Sequence, residues 1–161
     1  VMIFVTLGTQ KFQLNRLLKL IDEYIEKGII KDEVFAQIGN SDYIPVNYNY
    51  KQFIDKEEFD RCIKDASLII THSGVGTIIT AINLNKPVIV YPRLAKYKEH
   101  VDDHQIEIAE AFAKKRYVLA CKENDNLSEL IEKAYSYRFE KYVSQKEKII
   151  KIVNDFLKSQ Q

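Results

Sequence analysis

The residues best suited to chemistry in this chain lie in the stretch Thr71-His72-Ser73-Gly74-Val75-Gly76-Thr77. An apolar run, Ala66-Ser67-Leu68-Ile69-Ile70, leads into it, and a helical pattern, Ile78-Ile79-Thr80-Ala81-Ile82, leads out. A buried strand that turns through two glycines into a helix start aims unpaired N–H groups and the positive end of the helix dipole at one point. Glycine lets an anion come close to the backbone, while His72, Ser73 and Thr77 add side-chain donors. The arrangement suits a phosphate or diphosphate. The same glycines also suit an ordinary tight β–α turn. A histidine at the strand end and a threonine inside the turn favour the anion.

Three further polar groups follow the ends of predicted strands. Gly8-Thr9-Gln10 offers backbone donors and two side chains, or is a plain strand-to-helix connection. Arg93 and Lys96, after Pro92, are cations that either face phosphates or are simply solvated. Asp102-Asp103-His104-Gln105 opens a helix, where Asp102 and Gln105 have the spacing of a capping box; Gln105 is equally able to offer its amide to sugar hydroxyls. Other chemistries lack their residues. There is no Ser/His/Asp order for acyl transfer and no Gly-x-x-x-x-Gly-Lys-Ser/Thr loop for ATP. Gly74-Val75-Gly76 lacks the third glycine of a dinucleotide fingerprint. Of the three histidines, only His100 and His104 stand at i,i+4, which is a poor basis for zinc, and no metal is expected.

The elements that must position these groups are legible as alternating apolar runs and helical periods. Strands are predicted at 2–7, 34–38, 46–50, 68–71, 88–91 and 117–119. Helices are predicted from Leu14 to Ile25, from Glu57 to Lys64, from the glycine turn to Asn85, around Ile106–Ala113, and over Asn126–Tyr137 and Val143–Lys158. Apolar strands joined by helices imply a parallel sheet covered on both faces, an α/β fold of doubly wound, Rossmann-like type, and 161 residues suffice for one such domain. Ligands of such sheets sit beyond the carboxyl ends of the strands, where Gly8, Gly39, His72 and Pro92 should gather. A net charge of +1 gives no bulk electrostatic case for nucleic acid. Cys62 and Cys121 fit no metal spacing and are expected as buried, reduced thiols. With no apolar segment of about 20 residues and no signal peptide, the expected location is cytoplasmic. A single domain is taken to span 1–161, with Val1, ahead of Met2, set aside as extraneous to the fold.

In their order and spacing, Met2-Ile3-Phe4-Val5-Thr6-Leu7-Gly8-Thr9-Gln10, Ile70–Thr77, Pro92-Arg93 and His100-Val101-Asp102-Asp103-His104-Gln105 resemble the C-terminal, donor-binding half of family 28 glycosyltransferases. Within that family the chain is similar to a bacterial group making capsular polysaccharide or exopolysaccharide, and to a eukaryotic catalytic subunit acting on dolichol diphosphate. The resemblance implies half of a GT-B fold and a UDP-sugar donor, with no further cofactor. It implies that Gly8, Thr9, Gln10, His72, Ser73, Gly74, Gly76 and Thr77 surround the diphosphate. It assigns Phe53 and Ile54 to the uracil, and Arg93, His104 and Gln105 to the sugar. Where many relatives carry a ribose-binding glutamate, Thr80 stands instead.

The same resemblance implies an inverting transferase, with β-1,4-galactosyl transfer to a lipid-linked saccharide ahead of N-acetylglucosaminyl transfer. The acceptor site and general base would come from a separate, membrane-anchored subunit, making this chain peripheral to the cytoplasmic membrane. A last helix with Ile149, Ile150, Ile152, Val153, Phe156 and Leu157 on one side either packs on its own sheet or faces that partner. A non-catalytic UDP-sugar-binding module is the alternative from another functional class, and a UDP-sugar epimerase ranks last.

Overall fold

The computed structural model describes residues 2–142 and 146–159, without the side chains of 146–150 and 159. Val1, the residues 143–145 expected to open the last helix, and the side chains of Ile149 and Ile150 lie outside the described part. Six strands form one parallel sheet: β1 (Met2–Thr6), β2 (Glu33–Gln37), β3 (Asn49–Lys51), β4 (Leu68–Thr71), β5 (Val88–Val90) and β6 (Leu119–Ala120). Helices α1 (Asn15–Glu26), α2 (Lys56–Asp65), α3 (Val75–Asn83), α4 (His104–Lys114), α5 (Leu127–Ala134) and α6 (Lys146–Ser159) cover it.

The spatial order is β3-β2-β1-β4-β5-β6, with every neighbouring pair parallel. The chain thus runs outward from β1 to β3, then returns to the other side of β1 to lay down β4. That reversal makes the gap beyond β1 and β4 the switch point at which such sheets bind ligands. Gly8 and His72, the residues after these two strands, stand on either side of it.

Strand alternation sorts the core into two layers. Ile3, Val5, Ile70 and Ile89 meet Leu17, Leu18 and Ile21 of α1 and Ile131 of α5 on one face. Phe4, Ile69, Val88 and Val90 meet Ile63 of α2, Ile78 and Ile82 of α3 and Phe112 of α4 on the other. Burial on both sides explains why β1, β4 and β5 read as unbroken apolar runs.

Three expectations shift. The strand read at 46–50 pairs at Asn49–Lys51, all three residues exposed on the sheet edge. The strand read at 117–119 pairs at Leu119–Ala120, because Tyr117 N–H closes the end of α4 on Phe112 O at 3.2 Å. Cys121 is buried as expected, but Cys62 is only half-buried. The 43–47 stretch is organised by a buried carboxylate instead of by strand pairing: Asp22 of α1 accepts from Tyr43 Oη, Val46 N and Asn47 N at 2.7–2.9 Å.

The last helix packs against α4 through Ile152, which is buried, while Leu157 stays half exposed. No helix of the described residues is long and apolar enough to cross a membrane.

Candidate functional site

The site is built around one imidazole. His72 continues the β4 ladder, its N–H reaching Thr6 O at 3.4 Å, and its side chain is 5% exposed. The ring lies between two glycines. A Cβ on Gly8 would stand 2.5 Å from His72 Nε2, and one on Gly74 would stand 2.6 Å from it. Both positions must therefore be glycine for the ring to lie there. Gly8 also has φ +73°, in the left-handed region that glycine adopts without strain. Gly39, at φ +58°, lets the end of β2 approach, since a Cβ there would meet Gly8 O at 2.6 Å.

Behind the ring lies Arg93, 1% exposed. Its Nη1 donates to His72 Nδ1 at 2.8 Å, and its Nη2 donates to Leu7 O at 2.8 Å and Phe12 O at 3.3 Å. Burial pulls the guanidinium down to about 10, still charged at neutral pH. Burial, followed by the Arg93 and His100 charges, drives His72 down to about 3, so the ring is neutral at physiological pH. The expectation that Arg93 faces a ligand is corrected in this respect: its guanidinium points inward and meets His72. Lys96 is also committed, to an ion pair with Glu123.

Gln105 completes this inner layer. Its side chain is buried; Oε1 accepts from Arg93 N at 3.0 Å and Ser73 N at 3.3 Å, while Nε2 lies 3.4 Å from His72 Nδ1. Ser73 Oγ donates back to Gln105 O at 2.7 Å. The capping box does not form, because this amide is drawn beneath the strand end. Asp103 occupies the cap position of α4 without a side-chain bond to the helix, and Asp102 Oδ1 instead accepts from His104 N at 3.1 Å. For sugar recognition the Gln105 carbonyl oxygen is already engaged by two N–H groups.

The outer layer is open. Gly74 is the cap residue of α3, and no side chain caps that helix. The N–H groups of its first turn, at Val75, Gly76 and Thr77, therefore lack intrahelical partners. A Cβ on Gly76 would meet nothing within 4 Å. A groove of about 320 Å³ lies over this end, lined among others by Gln10, His72, Gly74, His104, Gln105 and Phe156. Thr9 and Gln10 are exposed on its β1 side. His104 packs edge-on against Phe156, ring centroids 5.8 Å apart, so α6 forms part of the wall. Phe53 is 46% exposed beyond β3, and Ile54 packs inward onto the core. Thr80 Oγ1 donates to Gly76 O at 2.9 Å, which spends its proton within α3 and leaves only acceptor capacity. Among the described residues, no group of three or more His, Cys, Asp or Glu side chains is arranged to hold a metal.

Sequence reasoning missed the supports. Gln37, the one polar side chain in the run Val34–Ile38, accepts from Thr6 Oγ1 at 2.7 Å and donates to Gly8 O at 2.8 Å and Gln52 O at 3.1 Å. It ties the Gly8 loop to the segment entering Phe53. Arg16 and Glu99 form a bidentate pair, both bonds 3.0 Å, and Glu99 also accepts from Leu94 N at 2.9 Å. That pair clamps the connection from β5 to α4. The signal for Gln37 was its position inside a buried strand; for Arg16 and Glu99 there was none, since they lie 83 residues apart.

Similarity to known proteins gives the family and the fold. A family model described as glycosyltransferase family 28 C-terminal domain matches residues 2–159. The UDP-N-acetylglucosamine transferase subunit ALG13 of Candida albicans (strain SC5314) is 36% identical over 88 residues, covering 55% of this chain and 27% of the relative. The match thus spans about a quarter of that relative's length. The solution structure of ALG13 superposes with a TM-score of 0.63 at 20% identity, covering 93% of both chains. The calicheamicin glycosyltransferase CalG4 gives 0.61 at 16% identity, covering 98% of this chain and 38% of that one. The fold is the Rossmann-like C-terminal half of a GT-B glycosyltransferase, and the chain belongs to the glycosyltransferase family 28 C-terminal domain family.

Proposed function

We propose that this chain is the donor-binding subunit of an inverting UDP-sugar glycosyltransferase, completed by a membrane-anchored partner that brings a lipid-linked saccharide. One observation carries the proposal: the His72 ring edge emerges between two obligatory glycines, in front of an uncapped helix start. A diphosphate at this point accepts from His72 Nε2–H and from the N–H groups of Val75, Gly76 and Thr77, with Ser73 holding the turn and the Gly8–Gln10 loop closing over it. These donors are in place before the reaction, so they stabilise the charge that develops on the leaving UDP. No metal is needed for that role. Phe53 and Ile54 receive the uracil, Thr80 accepts from a ribose hydroxyl, and His104 meets the sugar beside Gln105.

His72 is not given the role of the base that activates the acceptor, because its Nδ1 edge is taken up by Arg93 and its other nitrogen faces the diphosphate. That base is assigned to the partner subunit. Galactosyl transfer with β-1,4 linkage, in capsule or exopolysaccharide synthesis at the cytoplasmic membrane face, is the reaction proposed from the family resemblance. The similarity to ALG13, a UDP-N-acetylglucosamine transferase subunit, favours a second donor, UDP-N-acetylglucosamine. Calorimetric titration of UDP, UDP-galactose and UDP-N-acetylglucosamine tests the reading and ranks the two sugars. His72→Ala is expected to lose binding with the fold intact. Transfer by the chain co-expressed with its partner is expected to fail in the same variant; transfer that survives would make the chain a regulatory binding module.

A further inference from the structure

We infer that Arg93 and Gln105 are positioning residues that hold His72 in one neutral tautomer, making its Nε2–H a fixed donor in the opening between Gly8 and Gly74. The functional consequence rests on the proposed donor site; the tautomer itself does not.

The assignment follows from which groups can only donate. A guanidinium has no acceptor, and Arg93 Nη1 lies 2.8 Å from His72 Nδ1. The Gln105 amide is oriented independently, because its Oε1 faces two backbone N–H groups, from Arg93 and Ser73. Its NH₂ is therefore the end that lies 3.4 Å from the same Nδ1. Two donors converge on Nδ1, which must present its lone pair. A neutral imidazole has one N–H, so the proton resides on Nε2. Protonating Nδ1 would set a second cation directly against Arg93 and break that bond.

Arg93 is itself fixed by what it binds. Its Nη2 spans Leu7 O and Phe12 O, the two ends of the loop containing Gly8, Thr9 and Gln10. One side chain therefore sets both the loop position and the ring's proton. The ring offers a donor without a net charge, polarised from behind by the Arg93 cation. It selects a ligand by hydrogen-bond direction, and it has no lone pair facing the groove with which to abstract a proton.

Long-range ¹H–¹⁵N spectra of the ligand-free chain labelled at histidine, recorded from pH 7 to pH 5, test this directly. His72 is expected to show a protonated Nε2 and a bare Nδ1 throughout. A reversed pattern, or a charged ring at pH 7, overturns the inference whatever the chain binds. Arg93→Met is expected to give mixed tautomers and roughly a tenfold loss of UDP affinity. Arg93→Lys, which retains a charged donor, is expected to keep the tautomer. A folded Arg93→Met chain with the original tautomer and affinity overturns the role of Arg93, as does a lysine variant that behaves like methionine. If Arg93→Met does not fold, the spectrum of the unaltered chain still decides. If the unaltered chain shows the expected tautomer but does not bind UDP, the donor reading fails and the tautomer assignment stands.

Discussion

Replacing Gly74 by alanine would place a methyl carbon 2.6 Å from His72 Nε2 and 2.8 Å from Cε1. Ordinary contact begins near 3.4 Å, so the overlap with Nε2 is about 0.8 Å. The ring has nowhere to retreat. Arg93 holds its Nδ1 edge, and the Gly8 backbone closes the other side of Nε2. Gly74 itself has φ −81° and ψ 112°, which alanine adopts without strain, so the substitution acts through the overlap alone. Forcing one methyl into so tight a contact costs about 1–3 kcal/mol of stability. Tilting Nε2–H away from a bound phosphate removes a charge-assisted hydrogen bond worth about 1.5–3 kcal/mol, or roughly 10- to 150-fold in Kd. Circular dichroism should report a folded chain with a lowered melting point, and calorimetry a corresponding loss of UDP affinity. A folded Gly74→Ala chain that binds UDP as tightly as the original would refute the place given to His72.

Gly76→Ala should separate binding from stability, because its Cβ meets open space inside the chain: a gain of about 0.5–1 kcal/mol in chemical denaturation from improved helix propensity, with weaker UDP binding as the methyl intrudes on the phosphate. The folded-state pKa of His72, about 3 against an ordinary 6.5, sets a pH window. Above 6.5 both states are neutral and the contribution is fully present; as pH falls toward 3 the unfolded chain takes up a proton that the native ring refuses, and stability drops by about 1.4 kcal/mol per pH unit. Comparing urea midpoints of the unaltered chain and His72→Gln between pH 7 and pH 5 should show the steeper fall in the former, with Arg93 and His100 still present in both. Arg16→Ala strands the buried carboxylate of Glu99, which is 1% exposed, and should cost about 3 kcal/mol in denaturant melts; Arg16→Ala paired with Glu99→Gln should recover part of it.

Much of this molecule is written in local patterns. β1, β4 and β5 are buried on both faces, so their apolar runs were unambiguous, and the topological reversal between β1 and β4 makes neighbours of Gly8 and His72. β3 was displaced because an edge strand of Asn-Tyr-Lys has no apolar face to signal it. The direction of a side chain is harder still. Arg93 follows a proline in a loop, where a solvated cation or a phosphate ligand is the natural expectation, and only the tertiary structure turns it beneath His72. Gln105 has the spacing of a capping partner, yet the unmatched N–H groups of Ser73 and Arg93 compete for its oxygen and win. The glycines were recognisable as a cradle, but Gly8 and Gly74 are required by an imidazole of the chain itself, whereas Gly76, of these three, faces open space.

The most direct measurement is a crystal structure of the chain with UDP bound. Diphosphate density in front of α3, with an oxygen within hydrogen-bond reach of His72 Nε2 and of the Gly76 and Thr77 amides, is the predicted result. A nucleotide seated on another surface, with the opening between Gly8 and Gly74 filled only by water, would contradict it.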